Sequence, residues 1–263
     1  MGIVNVTPDS FSDGGRFLEA QAAIEHGRAL VGEGAEIIDV GGESTRPGAQ
    51  PVSTEDERER VQPVIEGLLA ARTGAQISID TSKAAVARAA LDAGASLVND
   101  VSALRADSEM AGVVADSAAE CCLMHSPGER RTTQQAPRYA DVVDDVKAFL
   151  EERLAFAVGE GVNEQRVLLD PGIGFGKTVE HNLELLRRLN ELTTLGRPIV
   201  IGTSRKSFLG RIAGDSTGSR RLAGTLATNV LAFERGASVF RVHEVAPIRA
   251  ALAVAAATLA VNG

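Results

Sequence analysis

A charged or amide side chain set inside a short apolar run costs on the order of several kcal/mol unless it is paired or wet. Such residues therefore mark where a chain is built for chemistry. This 263-residue sequence has polar residues in or just beyond run after run. Asn5 ends Gly2-Ile3-Val4, Asp39 interrupts Ile37–Gly41, and Asp80 closes Ile77–Ile79. Asn99-Asp100, Met124-His125 and Asp170 close the next three runs, Thr203-Ser204-Arg205-Lys206 follows another, and Arg241 and His243 flank Val242 in the last. The set has two electrical halves. Asp80, Asn99 and Asp170 offer acceptors, which suit amidine- or guanidine-like donors. Arg46, Lys206, Arg241 and His243 offer positive charge, and arginine grips phosphate bidentately. Arg241 and His243 stand two apart and so share a strand face. The pattern points to a nitrogen heterocycle bearing a phosphate or pyrophosphate.

The elements that must gather these residues are short and regular. Strands are expected near Gly2–Thr7, Glu36–Gly41, Gln76–Asp80, Ser96–Asp100, Glu120–His125, Val167–Asp170, Pro198–Gly202 and Ala237–Val242. Helical periodicity separates them. It is clearest over Asp141–Gly159, with Val142, Val146, Phe149, Leu150 and Leu154, and over His181–Leu192, with Leu183, Leu186 and Leu189. One joint recurs three times: Glu33-Gly34-Ala35, Ala93-Gly94-Ala95 and Arg235-Gly236-Ala237 each precede an apolar run. A glycine able to take the left-handed conformation ends a helix there, and a buried strand follows at once. Repeated αβ joints imply parallel strands with helical crossovers. Eight such units predict an α/β (β/α)₈ TIM barrel, a single domain over residues 1–263, with its site at the C-terminal ends of the strands. An open doubly wound sheet is the competing architecture, but Val6-Thr7-Pro8-Asp9-Ser10 lacks the glycine-rich nucleotide turn that often follows its first strand.

Bulk properties narrow the function. The net charge of -8 argues against a nucleic-acid partner. No apolar run reaches the ~18–20 residues of a membrane span. The first strand begins at once, so no secretory leader is expected, and a segment upstream of Met1 is expected to be missing or trimmed. Cys121 and Cys122 are adjacent and point to opposite faces, one into the core and one towards a more exposed setting. They make a poor disulfide or metal pair and suit a reducing cytoplasm. Gly172-Ile173-Gly174-Phe175-Gly176-Lys177-Thr178 imitates a phosphate-cradling loop, but it is one residue short and Pro171 displaces the earlier glycine, so it reads as a flexible βα loop. His125 could be a base or a satisfied polar group, while His26 and His181 read as surface residues. Ser204 has no partner base in a nucleophile motif.

Taken together the strings resemble dihydropteroate synthases, folate-pathway enzymes targeted by sulfonamides. The carriers are MGIVNVTPDSFSDGG (Met1–Gly15), GGESTRPGA (Gly41–Ala49), IDTSK (Ile79–Lys83), VNDV (Val98–Val101), LDPGIGFGK (Leu169–Lys177), SRKSFLG (Ser204–Gly210) and RVH (Arg241–His243). The resemblance covers nearly the whole chain. It implies that a dihydropterin bearing a CH₂-pyrophosphate is joined to p-aminobenzoate, with magnesium assisting. It implies that Asp80, Asn99 and Asp170 hold the pterin edge and that Lys206 donates to the pterin's acceptors. Arg241 would lie on the ring, with Met124 packed alongside. Arg241 and His243 would also face the leaving group, and Asn5 would help bind magnesium or pyrophosphate. Thr45, Arg46 and Pro47 would close over the reacting centre, and Ser204, Phe175 and Lys206 would hold p-aminobenzoate. A cytoplasmic homodimer, joined through helices late in the barrel, is also implied.

The chain departs from the family pattern in two places. After Met124-His125 it continues Ser126-Pro127-Gly128-Glu129-Arg130-Arg131 instead of the usual methionine and Gly-x-Pro run, and Glu244 replaces an aspartate. Two other readings stand beside the synthase: a catalytically silent pterin-binding paralogue, motivated by the altered fifth loop, and a pterin-binding barrel that methylates a corrinoid. The second should lack the Thr-Arg-Pro and Ser-Arg-Lys loops present here.

Overall fold

The computed structural model describes residues 1–7, 15–44, 49–127, 139–214 and 221–261. Within them strands and helices alternate: β1 (Gly2–Asn5), α1 (Gly15–Gly32), β2 (Ile37–Gly41), α2 (Thr54–Ala70), β3 (Gln76–Asp80), α3 (Ala84–Asp92), β4 (Leu97–Asp100), α4 (Met110–Ser117), β5 (Glu120–Met124), α5 (Val142–Gly159), β6 (Val167–Asp170), α6 (Val179–Arg187), β7 (Val200–Ile201), α7 (Ser207–Ala213), α8 (Arg221–Glu234), β8 (Val239–Phe240) and α9 (Val245–Ala260). Strands β1 to β6 form a parallel sheet in sequence order, and β7 pairs parallel with β8. Two single bridges join these sheets, Leu169 to Ile199 and Gly2 to Val242, and complete the ring.

The αβ joints repeat one hydrogen-bond pattern. Gly34, Gly94 and Gly236 have φ of 99°, 112° and 93°. In each case the next residue's N–H reaches back over the helix end: Ala35 to Leu30 O, Ala95 to Ala90 O, and Ala237 to Ala232 O, each within 3.0 Å. These are the six-to-one bonds of a glycine helix stop. They turn the chain straight into the following strand.

The ring is buried on both faces, as parallel sheets are. Val98, Cys121, Leu169 and Ile201 face the helices and belong to the large outer core. Leu97, Cys122, Leu168 and Val200 face inward and pack with Met1 and Val239 as the floor of the barrel. Cys121 and Cys122 are therefore both buried, and the expectation of a more exposed thiol was wrong. An outward side chain on this ring meets a helix, not solvent.

Two other expectations need adjusting. The last two strands are shorter than their apolar runs because the N–H groups of Ser238 and Val239 both donate to Ile199 O, which puts the ladder out of step. The helical run expected over His181–Leu192 divides. It is α-helical only to Arg187 and then tightens into a 3₁₀ stretch, Leu189–Leu195, that ends on a left-handed Gly196. At the division Arg188 leaves helical geometry, and its side chain is held by Asp141 at 2.6 Å and Glu191 at 2.7 Å. The helix expected over Asp141–Gly159 is α5, with Asp141 as its cap accepting from the N–H groups of Val143 and Asp144.

Candidate active site

Register places the first polar row. Asn5 pairs with Gly41, Gly41 with Asp80, and Asp80 with Asn99, so these residues from β1 to β4 lie on one line at the C-terminal rim. Farther round, Met124 pairs with Asp170 at the same end of β5 and β6. In-register parallel pairing fixes which face each side chain takes, because a slip of one residue would reverse them all. Asn5 is exposed at the rim, whereas Asp80, Asn99, Met124 and Asp170 are buried.

Below that row sits the group that ties it together. Asp39 is fully buried. One of its carboxylate oxygens accepts from Ser78 Oγ at 2.6 Å, and the other accepts from Asn99 Nδ2 at 3.0 Å and Arg241 Nε at 2.6 Å. Arg241 also donates from Nη2 to Asp80 at 2.7 Å. Burial acts against the guanidinium's charge, but the Asp39 and Asp80 carboxylates outweigh it and hold its pKa above the ordinary value. Three strands and the end of β8 are thereby joined by charge-assisted bonds, which are shorter and stronger than neutral ones. Asp39 stands out in the sequence but is given no role there, because it sits mid-run and not at a strand end. That position was itself the signal: an aspartate between Ile38 and Val40 must have partners.

A second cluster faces the first. Burial pushes the Asp170 carboxyl up, while a 2.7 Å bond from Gly172 N–H and the positive charges of Lys206, Arg241 and Lys177 act in the opposite direction. Lys206 opens α7, and its ammonium lies 3.9 Å from the centre of the Phe175 ring, a cation–π arrangement. Burial and the neighbouring Arg241 draw its pKa down to about 8. Contrary to the expectation that Ser204 has no base beside it, its Oγ lies 2.9 Å from His243 Nδ1, and it also accepts from the His243 N–H at 3.2 Å, which fixes that imidazole at the rim. The cup therefore gathers Asp80, Asn99, Asp170, Met124, Lys206 and Arg241, bordered by Phe175, Ser204 and His243. Thr45, Arg46 and Pro47 lie outside the described residues.

Two other histidines, His125 and His181, resolve differently. His125 is buried, edge-on to Phe149 with centroids 4.8 Å apart. Burial, Lys177 and Arg105 lower its pKa to about 3, so it is neutral at physiological pH. His181 belongs to a helix cap: Thr178 Oγ1 accepts from the His181 N–H, and the His181 ring accepts from the Thr178 N–H. Glu244, the departure at the end of β8, is ion-paired with Arg205.

The model of the pterin binding enzyme family matches residues 1–243. The chain belongs to that family. Among pterin binding enzymes it is 46% identical over 245 residues to a dihydropteroate synthase of Synechocystis sp., covering 93% of this chain and 84% of that one. It is 44% identical over 259 residues to the Escherichia coli dihydropteroate synthase, covering 98% and 91%. The structure of Xanthomonas albilineans dihydropteroate synthase with 4-aminobenzoic acid superimposes with a TM-score of 0.93 at 48% identity, covering 99% of this chain and 92% of that one. The same enzyme in complex with 7,8-dihydropteroate gives 0.89 at 45% identity, covering 99% and 93%.

Proposed function

We propose that this barrel is a dihydropteroate synthase, a transferase of folate biosynthesis that joins 6-hydroxymethyl-7,8-dihydropterin pyrophosphate to p-aminobenzoate. The observation that carries the reading is the convergence of Asp80, Asn99, Asp170, Lys206 and Arg241 on one cup, with acceptors to one side and cations to the other. The pterin edge presents an amino group and a ring N–H beside a carbonyl. Asp80, Asn99 and Asp170 accept from the N–H groups, Lys206 donates to the carbonyl, and Arg241 and Met124 flank the ring. Arg241 must exchange part of its hold on Asp39 and Asp80 for the ligand, and the two carboxylates keep it charged meanwhile.

The chemistry is electrostatic. The amine nitrogen of p-aminobenzoate forms a bond to the methylene carbon, the C–O bond breaks with its electron pair going to pyrophosphate, and the nitrogen's proton passes to water. An aromatic amine is neutral at pH 7, so its lone pair needs no strong base. The growing negative charge on pyrophosphate meets cations already in place: Arg241, His243, and Arg46 from the second loop. Phe175, Ser204 and Lys206 hold p-aminobenzoate, and Thr45 and Pro47 close over the centre.

Magnesium suits the rim. It favours oxygen ligands and is usually held by one or two protein groups together with substrate phosphates. Asn5 offers an exposed carboxamide oxygen there, and among the described residues no group of three or more His, Cys, Asp or Glu is placed to cage a metal. Asn5 and the pyrophosphate would hold the ion, which supplies charge neutralisation to the leaving group. We assign the whole activity to one domain and place it in the cytoplasm. The buried free thiols Cys121 and Cys122 suit a reducing compartment, and no helix among the described residues is long and apolar enough to cross a membrane. We further propose a homodimer through α7, α8 and α9, which leave Ile212, Leu231, Val254 and Leu259 exposed.

The test is pyrophosphate release by the purified protein, followed with each substrate alone and with both. The synthase releases pyrophosphate and forms dihydropteroate only with both. A silent paralogue binds the pterin without turnover, and a corrinoid methylase binds methyltetrahydrofolate instead.

A further inference from the structure

The loop from β6 to α6 carries three glycines with positive φ: Gly172 at 67°, Gly174 at 80° and Gly176 at 56°. Each lies where a side chain would strike a neighbour. A Cβ on Gly172 would overlap the His125 carbonyl oxygen, one on Gly174 would fall 2.8 Å from Lys206 Cδ, and one on Gly176 would overlap Pro127. The loop is thus pressed against the fifth loop on one side and the Lys206 stem on the other. Lys177 sits at its centre. Its ammonium is 2.9 Å from Gly172 O, 3.3 Å from Phe175 O and 2.9 Å from His125 Nδ1.

We propose that Lys177 is a positioning residue for the amine substrate: by drawing two carbonyls of its own loop and the ring of His125 to one ammonium, it fixes Phe175 against Lys206. The proposal rests on placing Phe175 at the p-aminobenzoate end of the cup. The three closest acceptors match the three donors of an ammonium, and the His125 carbonyl oxygen lies farther off at 3.5 Å. One of them, His125, is immobilised by burial and by its contact with Phe149, so the lysine ties the loop to a fixed point. The free backbone groups of the loop are also held, with Gly174 N–H donating to Asn182 Oδ1 at 2.7 Å and Phe175 N–H to Gly172 O at 3.1 Å. A lysine is an expensive way to fill this space. Burial lowers its pKa to about 7, and an apolar chain would pack there without that penalty. What an apolar chain would not do is gather the carbonyls that orient Phe175. The loop that imitates a phosphate cradle thus turns its lysine inward, onto its own backbone.

Lys177→Met keeps the length and removes the donors. Steady-state kinetics should show KM for p-aminobenzoate raised about tenfold or more, as expected for a ring displaced by a fraction of an ångström. KM for the pterin pyrophosphate should stay within about twofold. A lysine needed only for stability would lower the thermal midpoint and leave both KM values alone; that result, or a parallel rise of both, overturns the proposal. Phe175→Ala separates this from the reading beneath it. If Phe175→Ala leaves KM for p-aminobenzoate unmoved, the amine has been placed wrongly. If it raises KM and Lys177→Met does not, the lysine's role is wrong. Should Lys177→Met not fold, hydrogen exchange in the wild-type protein decides. The proposal requires the Gly172, Gly174 and Phe175 amides to be protected before any ligand is added, and fast exchange that slows only with p-aminobenzoate overturns it.

Discussion

Replacing Asp39 separates the cost of losing a charge from the cost of losing hydrogen bonds. Its carboxylate accepts three bonds, two on one oxygen from Asn99 and Arg241 and one on the other from Ser78. In Asp39→Asn the amide can turn its oxygen towards Asn99 and Arg241 and its NH₂ towards Ser78, whose hydroxyl can accept. All three bonds survive in shape, but those from Ser78 and Asn99 become neutral and Arg241 loses its partner's charge. A bond to a charged group contributes about 1.5–3 kcal/mol against about 1 for a neutral one, so with two bonds made neutral the expected destabilisation is about 1–4 kcal/mol. Asp39→Ala removes every acceptor and leaves Arg241 with Asp80 alone. Breaking one side of a buried pair costs about 3–5 kcal/mol. For a chain of this size each kcal/mol moves the thermal midpoint by roughly 2–4 °C. The asparagine variant should therefore melt about 2–16 °C early and the alanine variant about 6–20 °C early. Urea unfolding gives the free energies, and calorimetric titration with the pterin substrate reports whether the cup still forms. The alanine variant should bind the pterin more weakly than the asparagine variant, because Asn99 and Arg241 lose their common anchor. An alanine variant as stable as wild type, or an asparagine variant worse than alanine, refutes the account of Asp39 as that anchor.

Four further outcomes are expected. The Lys206 pKa lies near 8 and only its protonated form donates, so kcat/KM for the pterin substrate should fall as pH rises through about 8; the fall in kcat should come at higher pH, because bound pyrophosphate favours the ammonium, and a flat profile from pH 7 to 9.5 counts against the assignment. His125 has a native pKa of about 3 against an ordinary 6.5; its contribution to stability is complete above pH 6.5 and is lost as pH falls towards 3, so urea midpoints should fall less steeply on the acid side in His125→Gln than in wild type. Gly172→Ala places a methyl group into the His125 carbonyl oxygen at a φ of 67°, and backbone cannot yield as a side chain can; a loss of at least about 2 kcal/mol is expected by urea unfolding, and a loss under about 0.5 contradicts the loop geometry. Chelation of divalent ions should slow turnover, and added magnesium should restore it; an unchanged rate in chelator removes the ion from the mechanism.

Much of the scaffold was readable from the chain because local chemistry and global fold agree. Gly34, Gly94 and Gly236 announced the same helix stop three times, and each one proved to carry the same backbone bonds. The convergence of the candidate residues was readable because strand ends bring distant residues together by topology alone, so Asp80, Asn99, Asp170, Lys206 and Arg241 needed only the barrel to become neighbours. Asp39 was harder to place, because its role is set by three partners from β3, β4 and the end of β8 that no local pattern connects. Lys177 was hidden for a different reason. A glycine-rich loop ending in lysine has the same composition whether the ammonium faces a ligand or its own carbonyls, and only the folded arrangement separates the two. The shortness of β7 and β8 was also out of reach, since it follows from two amides sharing the oxygen of Ile199.

The ring has a consequence for how this chain reaches its final state. At its two seams the sheet is bridged by single residue pairs, and at one of them the last strand meets the first. Beside that seam Arg241 reaches carboxylates 202 and 161 residues earlier in the chain. A polypeptide cut off before residue 241 would enclose Asp39 and Asp80 with no guanidinium to offset them, next to an open sheet edge. The interior thus stays electrically incomplete until the C-terminal strand docks, and the arginine proposed to serve the ligand is also the clasp that shuts the barrel.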